Sequence, residues 1–348
     1  MNELCIENRK IGMHEKPLVI AEIGINHGGS LSVAKEMVDA AFRAGAEMVK
    51  HQTHVVEDEM SSAAKQVIPG NAKESIYEIM DKCALTKDEE FELMNYTSQK
   101  GMIFLSTPFS RAAADRLEEF QVSAYKIGSG ELNHYPLIEH IAKFGKPMIL
   151  STGMNDIESI QKATNILEKH NVSYALLHTT NLYPTKPEQV RLGAMMELHK
   201  HFPETPFGLS DHTLNNNACQ AAVALGASIV ERHFVDHKNR IGPDVLCSMD
   251  EFDLQNLINN TAEIALMRNG QKQALAEEKV TSDFAFATLV SISDIKKGEV
   301  LTEKNLWAKR PGTGSILAEK YWEVLGKHAK QDINKDTQIS YDMLEELS

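Results

Sequence analysis

Eight short apolar runs recur along the first two thirds of the chain, and most end in polar residues. They are PLVIAEIG (17–24), AEMVKHQT (46–53), MIFLSTPF (102–109), AYKIGSGE (124–131), PMILSTGM (147–154), YALLHTTN (174–181), PFGLSDHT (206–213) and ASIVERHF (227–234). Their apolar character is nearly continuous, which predicts parallel strands covered on both faces. Helical patterns lie between them. After Ser30, a candidate N-cap, apolar residues fall at Leu31, Ala34, Val38 and Ala41, and Gly45 stops the run. After Asp156 they fall at Ile157, Ile160, Ala163 and Leu167, and Ala218, Ala221, Ala222 and Leu225 precede Gly226. Strand and helix alternate about eight times over roughly 260 residues, the pattern of an α/β (β/α)8 TIM barrel. The competing fold, an open doubly wound sheet, would carry a Gly-rich turn after its first strand. GINHGGS (24–30) lacks the GxGxxG spacing.

The barrel is expected over residues 1–269, with its last helix at 250–269. The connection from 53 to 102 is too long for a simple loop, and on a barrel it lies at the catalytic face, as a substrate wall or as a peripheral decoration. Residues 270–282 are polar and read as a linker. Residues 283–348 change character, with strand-like ATLVSI and QISY, the turn IKKGE and the loop KRPGTGS. This reads as a small second domain, too short to bury much core alone.

Polar residues at the C-terminal ends of barrel strands point into the active site. Here they are Glu22, Lys50, Gln52, Thr107, Lys126, Ser129, Glu131, Ser151, Asn181, Ser210, Asp211, His212 and His233. Lys50 and Lys126, with the hydroxyls of Thr107, Ser129, Ser151 and Ser210, suit a phosphate or carboxylate. Alternatively, each lysine pairs internally with Glu22 or Glu131. His212 and His233 end neighbouring strands and suit one divalent ion with open positions, or hydrogen-bonded structural roles. Glu22 and Glu131 are candidate bases, or counter-charges for the lysines. The other histidines read as surface residues.

Composition narrows the partners. A formal charge of −13 without a basic stripe excludes nucleic acid. No apolar run is long enough to span a membrane, and MNELCIENRK has no signal core, so a cytoplasmic protein is expected. Cys5, Cys83, Cys219 and Cys247 are scattered and read as reduced thiols.

EIGINHGGS, MVKHQTH, IPGNA, FLSTPFSRAAADRL, YKIGSGE, LSTGM, HTTNLYPT, GLSDHT, ERHF and GPDVLCSM, in this order, resemble the N-acetylneuraminate (sialic acid) synthase family. KKGEVLTEKNLWAKRPGTG resembles that family's antifreeze-like (SAF) domain. The resemblance implies condensation of phosphoenolpyruvate with N-acetylmannosamine, and a domain-swapped homodimer in which each SAF domain closes the partner's site. It implies a divalent metal on His212 and His233, usually Mn2+, with Mg2+ or Co2+ as alternatives. Phosphoenolpyruvate would meet Lys50, Thr107, Lys126, Ser129, Ser151 and Ser210, with Asn181 beside it. The sugar would meet Gln52, Asn71, Tyr183 and Asp244, with Phe109 and Phe284 as apolar walls and the partner chain's Arg310 at the N-acyl group. Glu22 and Glu131 would order water and manage protons. Val235 and Leu132 stand where the family often has Thr and Cys, which bears on the acceptor rather than the reaction. Legionaminic and pseudaminic acid synthases use the same chemistry on di-N-acylated 6-deoxy hexoses. A metal-dependent aldolase or sugar-phosphate isomerase on the same barrel, and a glycan- or ice-binding protein, are the readings from other classes.

Overall fold

The computed structural model describes residues 3–70 and 73–345. Eight parallel strands close into a barrel: β3 (Leu18–Gly24), β4 (Met48–Thr53), β5 (Ile103–Pro108), β6 (Tyr125–Ile127), β7 (Met148–Ser151), β8 (Tyr174–Thr179), β9 (Phe207–Asp211) and β10 (Ile229–His233), with β10 pairing β3. The expected (β/α)8 TIM barrel is therefore the fold. Helices such as Leu31–Arg43 and Ile157–Lys169 cover its outside, started by Ser30 and Asp156, whose side chains accept from the first-turn amides.

Alternation along each strand sorts the residues. Outward positions such as Val19, Ala21, Val49, Phe104, Leu150, Leu176 and Val230 join the main core beneath the helices. Inward positions are apolar at the strand starts: Leu18, Ile20, Met48, Ile103, Leu105, Ile149, Leu177 and Ile229 pack together as a floor. Further along the same faces they turn polar, at Glu22, Lys50, Thr107, Lys126, Ser151, Ser210 and Glu231. Gly208 is required inside, because a Cβ there would collide with the Ile229 carbonyl.

An N-terminal hairpin not expected from the sequence, β1 (Glu3–Ile6) with β2 (Arg9–Gly12), adds Leu4, Ile6 and Ile11 to this floor and closes the barrel's lower end. The long connection after β4 holds more helix than expected. It contains Val56–Glu59, a 3-10 turn at Ser62–Gln66, and Ile76–Cys83, which a Ser75/Glu78 capping box starts.

The chain divides into two compact units, Met1–Asn269 and Gly270–Ser348. The run read as a linker groups with the second unit and includes most of a short helix, Lys279–Ala285. In that unit, β11 (Thr288–Ser291) pairs antiparallel with β12 (Leu306–Lys309). ATLVSI thus holds a strand, whereas QISY contributes only a bridge from Gln338 to Val290. The unit builds its own core from Leu289, Ile295, Leu301, Leu306, Ile316, Val324, Ile333 and Ile339, more than its length suggested.

Candidate active site

A cavity of about 260 Å³ opens at the C-terminal mouth of the barrel. It brings together Glu22, Lys50, Gln52, Thr107, Phe109, Lys126, Ser129, Glu131, Ser151, Asn181, Tyr183, Ser210, His212 and His233. Asp244 sits at its edge, with Oδ2 3.9 Å from Nδ1 of His233. Phe284 and Arg310 belong to the second unit, where both are exposed. Asn71 lies outside the described residues. Asp211 does not join the cavity. Lying between Ser210 and His212 in sequence, it faces outward and pairs with Arg232 at 3.2 Å.

Lys50 is not a free cation. Its Nζ lies 3.2 Å from Glu22 Oε1 and 3.1 Å from Glu231 Oε1, all three side chains being buried. Burial opposes the ammonium, but the two carboxylates outweigh it and raise the Lys50 pKa. Burial likewise opposes charge on Glu231, while Lys126 and Lys50 hold its carboxyl below the usual range. Gln52 donates from Nε2 to Glu22 Oε1 at 2.7 Å.

Lys126 differs. Its Nζ donates to Ser151 Oγ at 2.6 Å and to the Ile127 carbonyl at 2.9 Å, and among the described residues no carboxylate lies within ion-pair distance. Burial lowers its pKa to about 8, with Glu231 opposing the shift. Ser129 Oγ accepts from the Gly153 amide at 3.0 Å, and Asn181 Oδ1 is buried with no hydrogen-bond partner among the described residues. Gly153 must lack a side chain, because a Cβ would collide with Asn181 Oδ1 and press on Ser129 Oγ. Glu131 likewise makes no ion pair among the described residues, and burial raises its pKa to about 7.

His212 and His233 face each other with ring centroids 5.4 Å apart, and the Tyr183 ring lies 4.2 Å from that of His212. His212 donates from Nδ1 to the Thr180 carbonyl at 2.9 Å, which leaves Nε2 with a free lone pair. Burial lowers its pKa to about 3, so the ring stays neutral. His233 keeps a buried Nδ1 with no hydrogen-bond partner among the described residues. A facing imidazole pair with an unpartnered nitrogen fits a divalent ion, as two of its ligands. Among the described residues no group of three or more His, Cys, Asp or Glu forms a metal cage, so water and substrate oxygens would supply the remaining positions.

Several lining residues escaped the sequence reading. Glu231 stands two residues before His233 on β10 and therefore shares its inward face; Thr179 stands likewise before Asn181. Period-two spacing was the available signal. Gly128 lines the cavity too, and a Cβ there would collide with Glu131 Oε2. The histidines read as surface residues include four that are buried: His27, His51, His54 and His178.

Residues 37–273 match the NeuB family, and residues 287–345 match the SAF domain. The N,N'-diacetyllegionaminic acid synthase of Campylobacter jejuni is 37% identical over 93% of this chain and 99% of its own length. The pseudaminic acid synthase of Helicobacter pylori is 33% identical, covering 96% of this chain and 99% of its own. A crystal structure of the N-acetylneuraminic acid (sialic acid) synthetase of Leptospira borgpetersenii in complex with citrate superposes with a TM-score of 0.74 at 29% identity. That match covers 80% of this chain and 94% of the other.

Proposed function

The chain belongs to the NeuB family of sialic-acid-type synthases, and from that premise we propose that it condenses phosphoenolpyruvate with an N-acylated hexosamine. The observation that carries this reading is one cavity holding both Lys126 with its hydroxyl neighbours and a facing pair of imidazoles. Carbon 3 of phosphoenolpyruvate joins the open-chain sugar aldehyde, water adds at carbon 2, and phosphate leaves by C–O cleavage.

Lys126, Ser129 and Ser151 bind the phosphoenolpyruvate anions, with Thr107, Ser210 and Asn181 completing that side. Lys50 contributes less free charge, because Glu22 and Glu231 already flank it. Glu131 exchanges protons with the reacting groups, its pKa lying where both forms are accessible near neutrality. Glu22 holds the Lys50 ammonium and the Gln52 amide in place. Gln52, Tyr183 and Phe109 form the sugar wall, with Asn71 and Asp244 assigned to the same sugar. His212 and His233 would hold a divalent ion, Mn2+ first among candidates. Such an ion, when bound, supplies Lewis-acid polarisation of the aldehyde oxygen. Charge balance supports it: Lys50 and Lys126 are offset by Glu22 and Glu231, leaving no surplus positive charge for an anionic substrate.

In the same reading the enzyme is a cytoplasmic, domain-swapped homodimer, with Phe284 as an apolar wall and the partner chain's Arg310 at the N-acyl group. No helix among the described residues is long and apolar enough to cross a membrane. Hybrid dimers of Arg310→Ala chains with Glu131→Gln chains should regain activity; confirmed hybrids without recovery would remove the shared site.

N-acetylmannosamine is the first acceptor to test. The identity to the Campylobacter legionaminic acid synthase favours a second, a 2,4-diacetamido-6-deoxyhexose. Phosphate release and product mass, measured with phosphoenolpyruvate, Mn2+ and each acceptor, decide between them. Release with neither, or cleavage of the free sugar acid to pyruvate, would replace this reading with an aldolase.

A further inference from the structure

His54 stands two residues beyond Gln52, in the connection after β4, and its ring is almost fully buried. Both ring nitrogens face oxygens. Nδ1 lies 2.8 Å from Oε2 of Glu59, and Nε2 lies 3.4 Å from Oε1 of Gln52. The Gln52 amide is held in this sense by its donation from Nε2 to Glu22 Oε1 at 2.7 Å. Turned over, it would set its own oxygen against that carboxylate. A neutral imidazole carries one N–H and one lone pair, so either tautomer would leave two acceptors opposed. With Glu59 ionised, only a ring with both nitrogens protonated satisfies the pattern. One face of that ring lies on Phe109, with centroids 4.5 Å apart and planes 14° apart, a placement in which an aromatic face favours a cation.

Two members of the cavity wall, Gln52 and Phe109, are thus supported by one side chain from two directions. We infer that His54 is a positioning residue for the acceptor: clamped by Glu59 as an imidazolium, it fixes the Gln52 amide and the Phe109 ring in the orientation that the sugar meets. The inference rests on the function proposed above for the assignment of this wall. Other titratable groups around His54 include Glu131 after β6 and His27 in the loop after β3. Burial keeps His27 uncharged and raises the Glu131 pKa to about 7, so Glu59 is the carboxyl that faces the ring directly.

The test compares Glu59→Gln, which keeps an acceptor oxygen for Nδ1 but removes the charge, with Glu59→Ala, which removes both. The acceptor KM should rise roughly tenfold in Glu59→Gln and further in Glu59→Ala, the loss expected when a charge-assisted hydrogen bond weakens and then disappears. The phosphoenolpyruvate KM should stay within about twofold, since Lys126 makes no hydrogen bond to this cluster. Ring-nitrogen NMR of the full chain with labelled histidine gives a readout that a merely structural role would not produce. The His54 signal, identified by its loss in His54→Asn, should show two N–H nitrogens in the native protein and one in Glu59→Ala. Equal rises in both KM values, or a native ring with a single N–H, would overturn the inference. The NMR arm needs no turnover: a chain inactive on both acceptors but with a doubly protonated ring would sink the synthase reading and spare the clamp.

Discussion

Replacing Lys126 with Met should weaken phosphoenolpyruvate binding and at the same time make the protein more stable. The stability part follows from linkage. Burial lowers the Lys126 pKa from 10.5 to about 8. A lysine depressed in this way opposes folding while it is protonated, by about 3 kcal/mol for a shift of this size, and the penalty fades as pH rises from about 8 toward 10.5. Met removes the penalty and also the two donations, to Ser151 Oγ and the Ile127 carbonyl, which costs about 1–2 kcal/mol. The net gain near pH 7 is about 1–2 kcal/mol, or roughly 2–5 °C in Tm.

The binding part runs the other way. A unit charge about 4 Å from an anion contributes about 4 kcal/mol at an effective dielectric of about 20, less where neighbouring groups compensate. Losing about 2–4 kcal/mol raises the phosphoenolpyruvate KM roughly 30- to 1000-fold. The acceptor KM should change little. In the native enzyme the phosphoenolpyruvate KM should climb above pH 8 as Lys126 loses its proton, and in Lys126→Met that climb should vanish. Initial rates of phosphate release with each substrate varied, and melting curves from pH 7 to 10, provide the measurements. Equal rises in both KM values would refute the anion role. A Tm difference that stays constant with pH would refute the buried-charge argument.

Three further outcomes are expected. His212→Ala and His233→Ala should each lose divalent-ion binding by calorimetry and abolish phosphate release, with the melting curve nearly unchanged; near-native turnover after chelation and metal repletion would dismiss the imidazole pair. Burial raises the Glu131 pKa from 4.5 to about 7, so the folded state holds that proton more tightly and loses stability as pH rises across this interval. Glu131→Gln should remove that slope, melt higher than the native protein above pH 7, and lower kcat about 100-fold or more while flattening its rise through pH 7; an unchanged pH–rate profile would clear Glu131 of proton transfer. Gly153→Ala should push on Asn181 and Ser129 and raise the phosphoenolpyruvate KM with the fold intact, whereas Gly208→Ala meets the Ile229 backbone and should cost about 3 kcal/mol of stability. Equal loss of stability in both variants would contradict their placement.

The barrel was legible because its strands are apolar on both faces, and because a polar residue at a strand's end has few places to go but the mouth. The errors at the strand ends have one cause. Reading only the ends of the runs gathered Asp211, which the strand's alternation turns outward to Arg232, and passed over Glu231, which the same alternation turns inward. The helix Ile76–Cys83 had a visible start in Ser75 and Glu78, but lay inside a segment read as loop for its length. The hairpin Glu3–Gly12 was not legible, since strands of four residues acquire meaning only when Leu4, Ile6 and Ile11 meet the barrel floor. The buried histidines depend on distant chain in the same way: His51 becomes interior when the helix Lys87–Gln99 brings Glu90 to 3.2 Å from its Nδ1.

The cavity separates two kinds of buried charge by a rule the sequence does not display. Lys50 and Glu231 are partnered, and their pKa values move in the direction that preserves charge. Lys126 and Glu131 lack an ion-pair partner among the described residues, and burial moves theirs toward neutrality, to about 8 and about 7. The first pair can hold geometry at little cost to the fold. The second pair is destabilising as it stands and gains its compensation only when something charged or protonatable arrives. Stability and reactivity are therefore carried by different residues within one ring of strand ends. Neutralising an unpartnered member should raise Tm and lower turnover, while neutralising a partnered one, as in Glu231→Gln, should lower both.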